Sequence, residues 1–190
     1  GSSAASDVYK RQQLGDDIDG EASGDYSGYS VSLSSDGTKV AIGATGNDAG
    51  GSNSGHVRVY QYCSSSWSQL GGDIDGEAAG DSSGYSVSLS SDGTKVAIAA
   101  DGNDENGSSS GHVRVYQYSG SSWTKIGADI DGEAAEDSSG TSVSLSSDGT
   151  KVAIGANRND GNGSNSGHVR VYQYSDSSSW TKLGDDIDGE

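Results

Sequence analysis

An all-β chain of tandem, four-stranded antiparallel sheets is the fold class this sequence predicts, and three observations carry the prediction. The chain repeats with a long period: Asp-Gly-Glu begins at Asp19, Asp75, Asp131 and Asp188, at steps of 56, 56 and 57 residues. Each repeat holds short segments that alternate large and small side chains, the period of two expected of a strand. Asp-Gly and Gly/Asn/Ser-rich turns separate them, and no segment shows the 3.6-residue apolar periodicity of a helix.

The elements follow in order within one repeat. "YSVSL" (Tyr29 to Leu33) reads as a first strand. "SSDG" (Ser34 to Gly37) reads as a tight hairpin turn, with Asp-Gly supplying the positive φ angles such turns use. "KVAIGA" (Lys39 to Ala44) is the returning strand, with Val40 and Ile42 on one face. After the loop "TGNDAGGSNSG" (Thr45 to Gly55) comes "HVRVYQY" (His56 to Tyr62), rich in β-branched and aromatic residues, then a shorter strand "WSQL" (Trp67 to Leu70). One face of the hairpin is large (Tyr29, Val31, Leu33, Val40, Ile42) and the other small (Ser30, Ser32, Ala41, Gly43). A sheet stacked between two neighbours needs that asymmetry, because its small side admits the next sheet's bulk. Four short strands in a repeat of this length describe the blade of a β-propeller. A β-solenoid is the alternative, although solenoid coils are usually shorter.

Composition alone points elsewhere. Only 30% of the 190 residues are apolar and the formal net charge is −17, the signature of a disordered chain. The identical spacing of Val, Ile, Tyr and Trp in three copies argues against disorder, since an unfolded acidic tract has no reason to preserve it. The acidity makes nucleic acid and anionic membranes poor partners. No apolar run is long enough to insert in a bilayer.

The repeat places boundaries at 14–70, 71–126 and 127–183, with residues 184–190 opening a fourth copy and "LGDDIDGE" (Leu183 to Glu190) repeating Leu14 to Glu21. The extra residue of the third copy falls in "YSDSSSW" (Tyr174 to Trp180). Residues 1–13 form a non-repeat lead, of which "GSSAASDVYKRQ" (Gly1 to Gln12) reads as a cloning scar followed by sequencing read-through, with the natural N-terminus expected upstream.

Candidate chemistry centres on "DIDGEAAGD" and its equivalents. The pattern Asp-x-Asp-Gly-Glu-x-x-x-Asp gathers Asp17, Asp19, Glu21 and Asp25; then Asp73, Asp75, Glu77 and Asp81; then Asp129, Asp131, Glu133 and Asp137. Several carboxylates on one glycine-bearing loop suit a hard cation, and Ca²⁺ is the candidate. The competing reading is that Asp and Gly make the turn while Ile74 plugs the core. Asn106 and Asn162 head Asn-Gly-Ser sequons, candidate glycosylation sites on exposed loops. His56, His112 and His168 each open the "HVRVY" strand. One His per repeat, with no neighbouring Cys or second His, makes a poor metal or catalytic constellation, and a structural role is expected. Arg58, Arg114 and Arg170 are expected to pair with carboxylates, and Trp67, Trp123 and Trp180 to anchor the core rather than stack on sugars. Cys63 is the only cysteine, so no internal disulfide forms.

At "GYSVSLSSDGTKVAIGA" (Gly28 to Ala44) and "SGHVRVYQY" (Ser54 to Tyr62) the chain resembles FG-GAP-type repeats, which build the β-propeller of integrin α-subunits and of many secreted microbial and algal proteins. "GYS" stands where that family has Phe-Gly, "IGA" matches its Gly-Ala-Pro without the Pro, and "GHVRVY" matches its Gly-x-Val-Tyr-Val strand. The resemblance covers all three copies and implies an extracellular or cell-surface propeller. Integrin-like blades carry a calcium loop between the first two motifs, whereas this chain has "SSDGTK" (Ser34 to Lys39) there, with a single acidic residue.

Three blades fall short of the about four to eight that close a propeller ring. Near-identical repeats allow a contact between chains to copy the contact within one. The expected function is therefore that of an extracellular scaffolding protein, glycosylated and self-associating through its blades into a ring or a filament. The alternative is a calcium-dependent adhesin or carbohydrate-binding module with glycan partners. No enzyme is expected, because polar residues recur in every copy and no single blade holds a distinctive reactive set.

Overall fold

In each repeat, the strand register sorts bulky from small side chains and so decides how the repeats stack. The computed structural model describes residues 12–175 and 178–190; the lead through residue 11 and two residues of the third-copy insertion lie outside that range. The first sheet comprises β1 (Ser27–Leu33), β2 (Lys39–Ala44), β3 (His56–Cys63), β4 (Ser66–Gln69) and β5 (Ile74–Asp75). The second comprises β6 (Ser86–Leu89), β7 (Lys95–Ala100), β8 (His112–Tyr118), β9 (Trp123–Lys125) and β10 (Ile130–Asp131). The third comprises β11 (Ser139–Leu145), β12 (Lys151–Ala156), β13 (His168–Tyr174), β14 (Trp180–Lys182) and β15 (Ile187–Asp188). All described strand pairing in the sheets is antiparallel and in sequence order, as the repeat pattern predicts.

The blades have one more element than the sequence suggests. The outer edge of β3 carries β4 opposite Tyr60 to Cys63 and then the two-residue β5 opposite His56 and Val57. The edge strand read from "WSQL" is thus interrupted and resumes at Ile74, so the start of the acidic loop is itself a strand. The interruption lies at Gly71, whose φ of +78° L side chains rarely adopt.

Val31 faces Ile42 and Leu33 faces Val40, while Ser30 faces Gly43 and Ser32 faces Ala41, the large and small faces expected. The small side of the first blade (Ala41, Val57, Val59) packs on the large side of the second (Val87, Leu89, Val96, Ile98). Ala97, Ala99, Val113 and Val115 meet Leu145, Val152 and Ile154 at the next seam. The core therefore consists of two inter-blade seams. Matching serines close them: Ser30 Oγ donates to the Gly84 carbonyl at 2.6 Å, and Ser86 Oγ to the Gly140 carbonyl at 2.7 Å. The three sheets do not close into a ring.

The hairpin turn differs in detail from expectation. Of Asp36 and Gly37, only Gly37 has positive φ, at +69°. Gly37 N–H donates to the Ser34 carbonyl at 2.9 Å, and Ser34 N–H to that of Lys39 at 2.9 Å, so the loop is wider than a two-residue turn. Asp36 holds it by accepting from Ser34 Oγ, Thr38 N–H and Thr38 Oγ1 at 2.7, 3.0 and 2.9 Å. The Ser34 bond, followed by the two from Thr38, lowers the Asp36 carboxyl to about 2. Asp148 in the third hairpin is lowered by the same set of donors. A carboxyl lowered on folding adds stability that is complete above its unfolded pKa and disappears as pH falls through the folded value. The hairpins are accordingly expected to loosen between about pH 4 and pH 2. Carboxyl NMR titration should place Asp36 near 2; an ordinary value would mean that these bonds do not form in solution.

Candidate functional site

β3 begins with His56, and its alternation puts His56, Arg58 and Tyr60 on one face. There the side chains meet the acidic segment that enters the blade. Arg58 Nη2 donates to the Asp19 carbonyl at 2.8 Å and Nη1 lies 3.5 Å from Glu21 Oε1, with the guanidinium over the Tyr60 ring at 5.5 Å. Arg114 and Arg170 repeat this on Asp75 and Glu77, and on Asp131 and Glu133. The arginines pair with carboxylates as the sequence predicts.

The tryptophans also act as anchors. Trp67, Trp123 and Trp180 donate their indole N–H to the carbonyls of Leu14, Leu70 and Ile126 at 2.8, 2.7 and 2.9 Å. Each stacks against a tyrosine of the preceding strand, with ring centroids 5.1–5.2 Å apart. They tie the outer edge of a blade to the segment that leads into it.

The acidic residues of one loop separate into different roles. Asp25, Asp81 and Asp137 are buried and clamp the neighbouring loop: their Oδ2 atoms accept from Asn47, Asn103 and Asn159 Nδ2 at 3.1, 3.2 and 2.8 Å, and from the backbone N–H of Ala22, Ala78 and Ala134 at 3.2 Å. Asp19, Asp75 and Asp131 give their carbonyls to the arginines. Asp17 accepts from Gln13 at 2.7 Å. Among the described residues, the four carboxylates of one loop do not gather their oxygens into one group.

The gathering that does occur is between repeats and includes the histidines. Glu21, His56 and Asp73 bring one ligand atom each within 4.8 Å of one another, as do Glu77, Glu105, His112 and Asp129, and Glu133, His168 and Asp186. Each group joins a Glu from the loop before a blade, the His that opens its third strand, and an Asp from the loop after it. His56 and His112 are 1% and 0% exposed. Burial, followed by Arg114, lowers the His112 pKa against the opposing pull of Asp129 and Glu77, which keeps its imidazole neutral at neutral pH. The sequence reading missed this grouping because the partners are far apart in the chain and meet only through β3–β5 pairing.

The sequon side chains are engaged. Asn106 Nδ2 donates to the carbonyls of Gly132 and Glu133 at 2.7 and 3.1 Å, and Asn162 Nδ2 to that of Gly189 at 2.8 Å. The amide nitrogen that would carry a glycan makes these bonds. Cys63 is exposed at the end of β3.

Antiparallel blades stacked small face on large define a propeller-type repeat array. The FG-GAP repeat model matches residues 17–60 and 124–172, so the first and third copies carry the FG-GAP repeat. A Bacteroides uniformis structure assigned as a 6-phosphogluconolactonase superposes with a TM-score of 0.53 at 11% identity, covering 84% of this chain and 40% of its own. Hydrazine synthase of Kuenenia stuttgartiensis gives 0.50 at 14% identity, covering 80% of this chain and 41% of its own. At these identities the likeness is one of fold, and the chain spans about two fifths of those structures. No curated protein matches the chain. No helix among the described residues is long and apolar enough to cross a membrane.

Proposed function

We propose that the chain is an extracellular scaffolding protein whose copies join end to end through their terminal blades. The observation that carries this reading is that the two end faces are the two halves of an internal seam. On the first blade, Val31 and Leu33 are 63% and 60% exposed, whereas their counterparts Val87 and Leu89 are 8% and 7% exposed beneath the preceding blade. On the third, Val169 and Ile187 are 37% and 62% exposed, whereas Val113 and Ile130 in the second are 0% and 4% exposed. Val169 and Ile187 line a concavity of about 360 Å³ that also includes Ser142, the counterpart of Ser30 and Ser86. The large face of another copy supplies what this concavity lacks, and Ser142 then meets the partner's Gly28 carbonyl as Ser30 meets that of Gly84 within the chain. Such a contact is heterologous, so copies add in a ring or a filament. The extracellular address rests on the family.

Light scattering across a concentration series tests the assembly. A mass that grows with concentration, or one fixed at two chains in a six-bladed ring, is the expected behaviour, and Leu33→Asp should abolish it without unfolding the chain. A monomer at every concentration overturns the reading.

A further inference from the structure

The His–carboxylate groups between the loops that flank each blade carry an inference that is independent of assembly. A buried imidazole is ordinarily hydrogen-bonded. Here Nδ1 of His56 and both ring nitrogens of His112 are buried and lack a hydrogen-bond partner. The Nδ1 atoms are nevertheless aimed at carboxylates: His56 Nδ1 lies 3.9 Å from Glu21 Oε2 and 4.0 Å from Asp75 Oδ1, His112 Nδ1 3.9 Å from Asp129 Oδ2, and His168 Nδ1 3.9 Å from both Glu133 Oε2 and Asp186 Oδ2. These separations are too long for hydrogen bonds. They are near the spacing of two ligands on one ion, since atoms about 2.0–2.2 Å from a tetrahedral centre lie about 3.4 Å apart.

The carboxylates are also oriented. The Glu oxygen turned away from the imidazole is held by arginine: Arg58 Nη1 is 3.5 Å from Glu21 Oε1, Arg114 Nη1 2.9 Å from Glu77 Oε1 and Arg170 Nη1 3.3 Å from Glu133 Oε1. The outer Asp oxygen is held from four residues upstream, Asp73 Oδ1 by Gln69 at 2.6 Å, Asp129 Oδ1 by Lys125 and Asp186 Oδ1 by Lys182 at 2.6 Å. Glu21, Asp129, Glu133 and Asp186 thus keep one anchored oxygen and present the other to the imidazole. Anchoring of this kind orients metal ligands.

We propose that these three groups are divalent-cation sites of the zinc class, each fastening the loop before a blade to the loop after it through the buried histidine. An imidazole beside carboxylates suits Zn²⁺, whereas Ca²⁺ takes oxygen ligands. This differs from the calcium set read from one loop, because the ligands come from two loops and a strand. The second group is the strongest, since Glu105 adds a fourth ligand where the other copies have Ala49 and Gly161.

The test is zinc titration of the full chain by calorimetry and by the histidine NMR signals, with CaCl₂ in parallel. The expected result is up to three zinc ions per chain, the tightest shifting the His112 ring signals, with little response to calcium. Asp129→Asn should remove the tight site, and Glu105→Ala should weaken it to the level of the other two. Both replace side chains outside the core, so the fold survives, whereas His112→Ala would open a cavity at a fully buried position. Absence of zinc binding by the folded chain, zinc binding unchanged in both variants, or equal binding of calcium at the same groups would overturn the proposal.

Discussion

Leu89→Ala and Leu145→Ala should each destabilise the chain by about 3 kcal/mol, while Leu33→Ala should change its stability by no more than about 0.5 kcal/mol. The three leucines occupy the same position, the last residue of the first strand, in copies of the same sequence. Their exposures are 7%, 8% and 60%. Local propensity and hairpin geometry are matched, so the difference isolates what the preceding blade contributes. At Leu89 and Leu145, truncation leaves a cavity between two sheets that are also held by serine and backbone hydrogen bonds and so relax little. At Leu33 the removed atoms were already in water. Urea unfolding of dilute, monomeric protein measures all three. Equal losses would mean that stability resides within blades and that the seams contribute little. Under assembling conditions, Leu33→Ala should instead weaken association, because the same side chain then enters a seam.

What the sequence makes legible is whatever a blade repeats locally. The alternation in "YSVSL" and "KVAIGA" identifies which side chains share a face, and pairing of Val31 with Ile42 and Ser30 with Gly43 follows from it. The period itself announces stacking, because no single blade can bury its own large face. The arginine and tryptophan roles are readable for the same reason, recurring beside the same neighbours in each copy. The histidine environment is not readable, since Glu77 and Asp129 lie on opposite sides of His112 in the chain and meet it only when β8 pairs with β10. Nor is the division of labour within the acidic loop. Asp81 belongs with Asn103, a residue that looks like any other polar member of a Gly/Asn/Ser loop until the two loops are seen to dock. Neighbours in sequence, Asp81 and Glu77 send their carboxylates to Asn103 and Arg114, while Asp75 gives Arg114 its carbonyl.

Gly111→Ala should cost about 3 kcal/mol or more, as the sum of two separable effects. Gly111 has a φ of +73°, and a non-glycine residue held there loses about 1–2 kcal/mol. An added Cβ would also overlap the carbonyl oxygen of Ser139 and lie 2.7 Å from its amide nitrogen, both of them backbone atoms of the next blade's entry segment. That segment cannot withdraw without releasing the bonds that dock it, Ser139 N–H to the Ser110 carbonyl at 2.9 Å and Gly132 N–H to the Gly111 carbonyl at 2.7 Å. Two other glycines separate strain from space. Gly120 has a φ of +95° and nothing within 4 Å of its notional Cβ, so Gly120→Ala should cost only the strain, about 1 kcal/mol. Gly167 is the counterpart of Gly111 in the third blade, with a φ of +70°, but its nearest obstacle is the Asn157 carbonyl of its own blade at 3.2 Å. Gly167→Ala should therefore fall near Gly120→Ala in the monomer. Denaturant unfolding of the three variants decides the matter: similar losses in all three would make backbone strain the whole cost, whereas a loss concentrated at Gly111 shows that close approach of one blade's loop to the next fixes the spacing of the array.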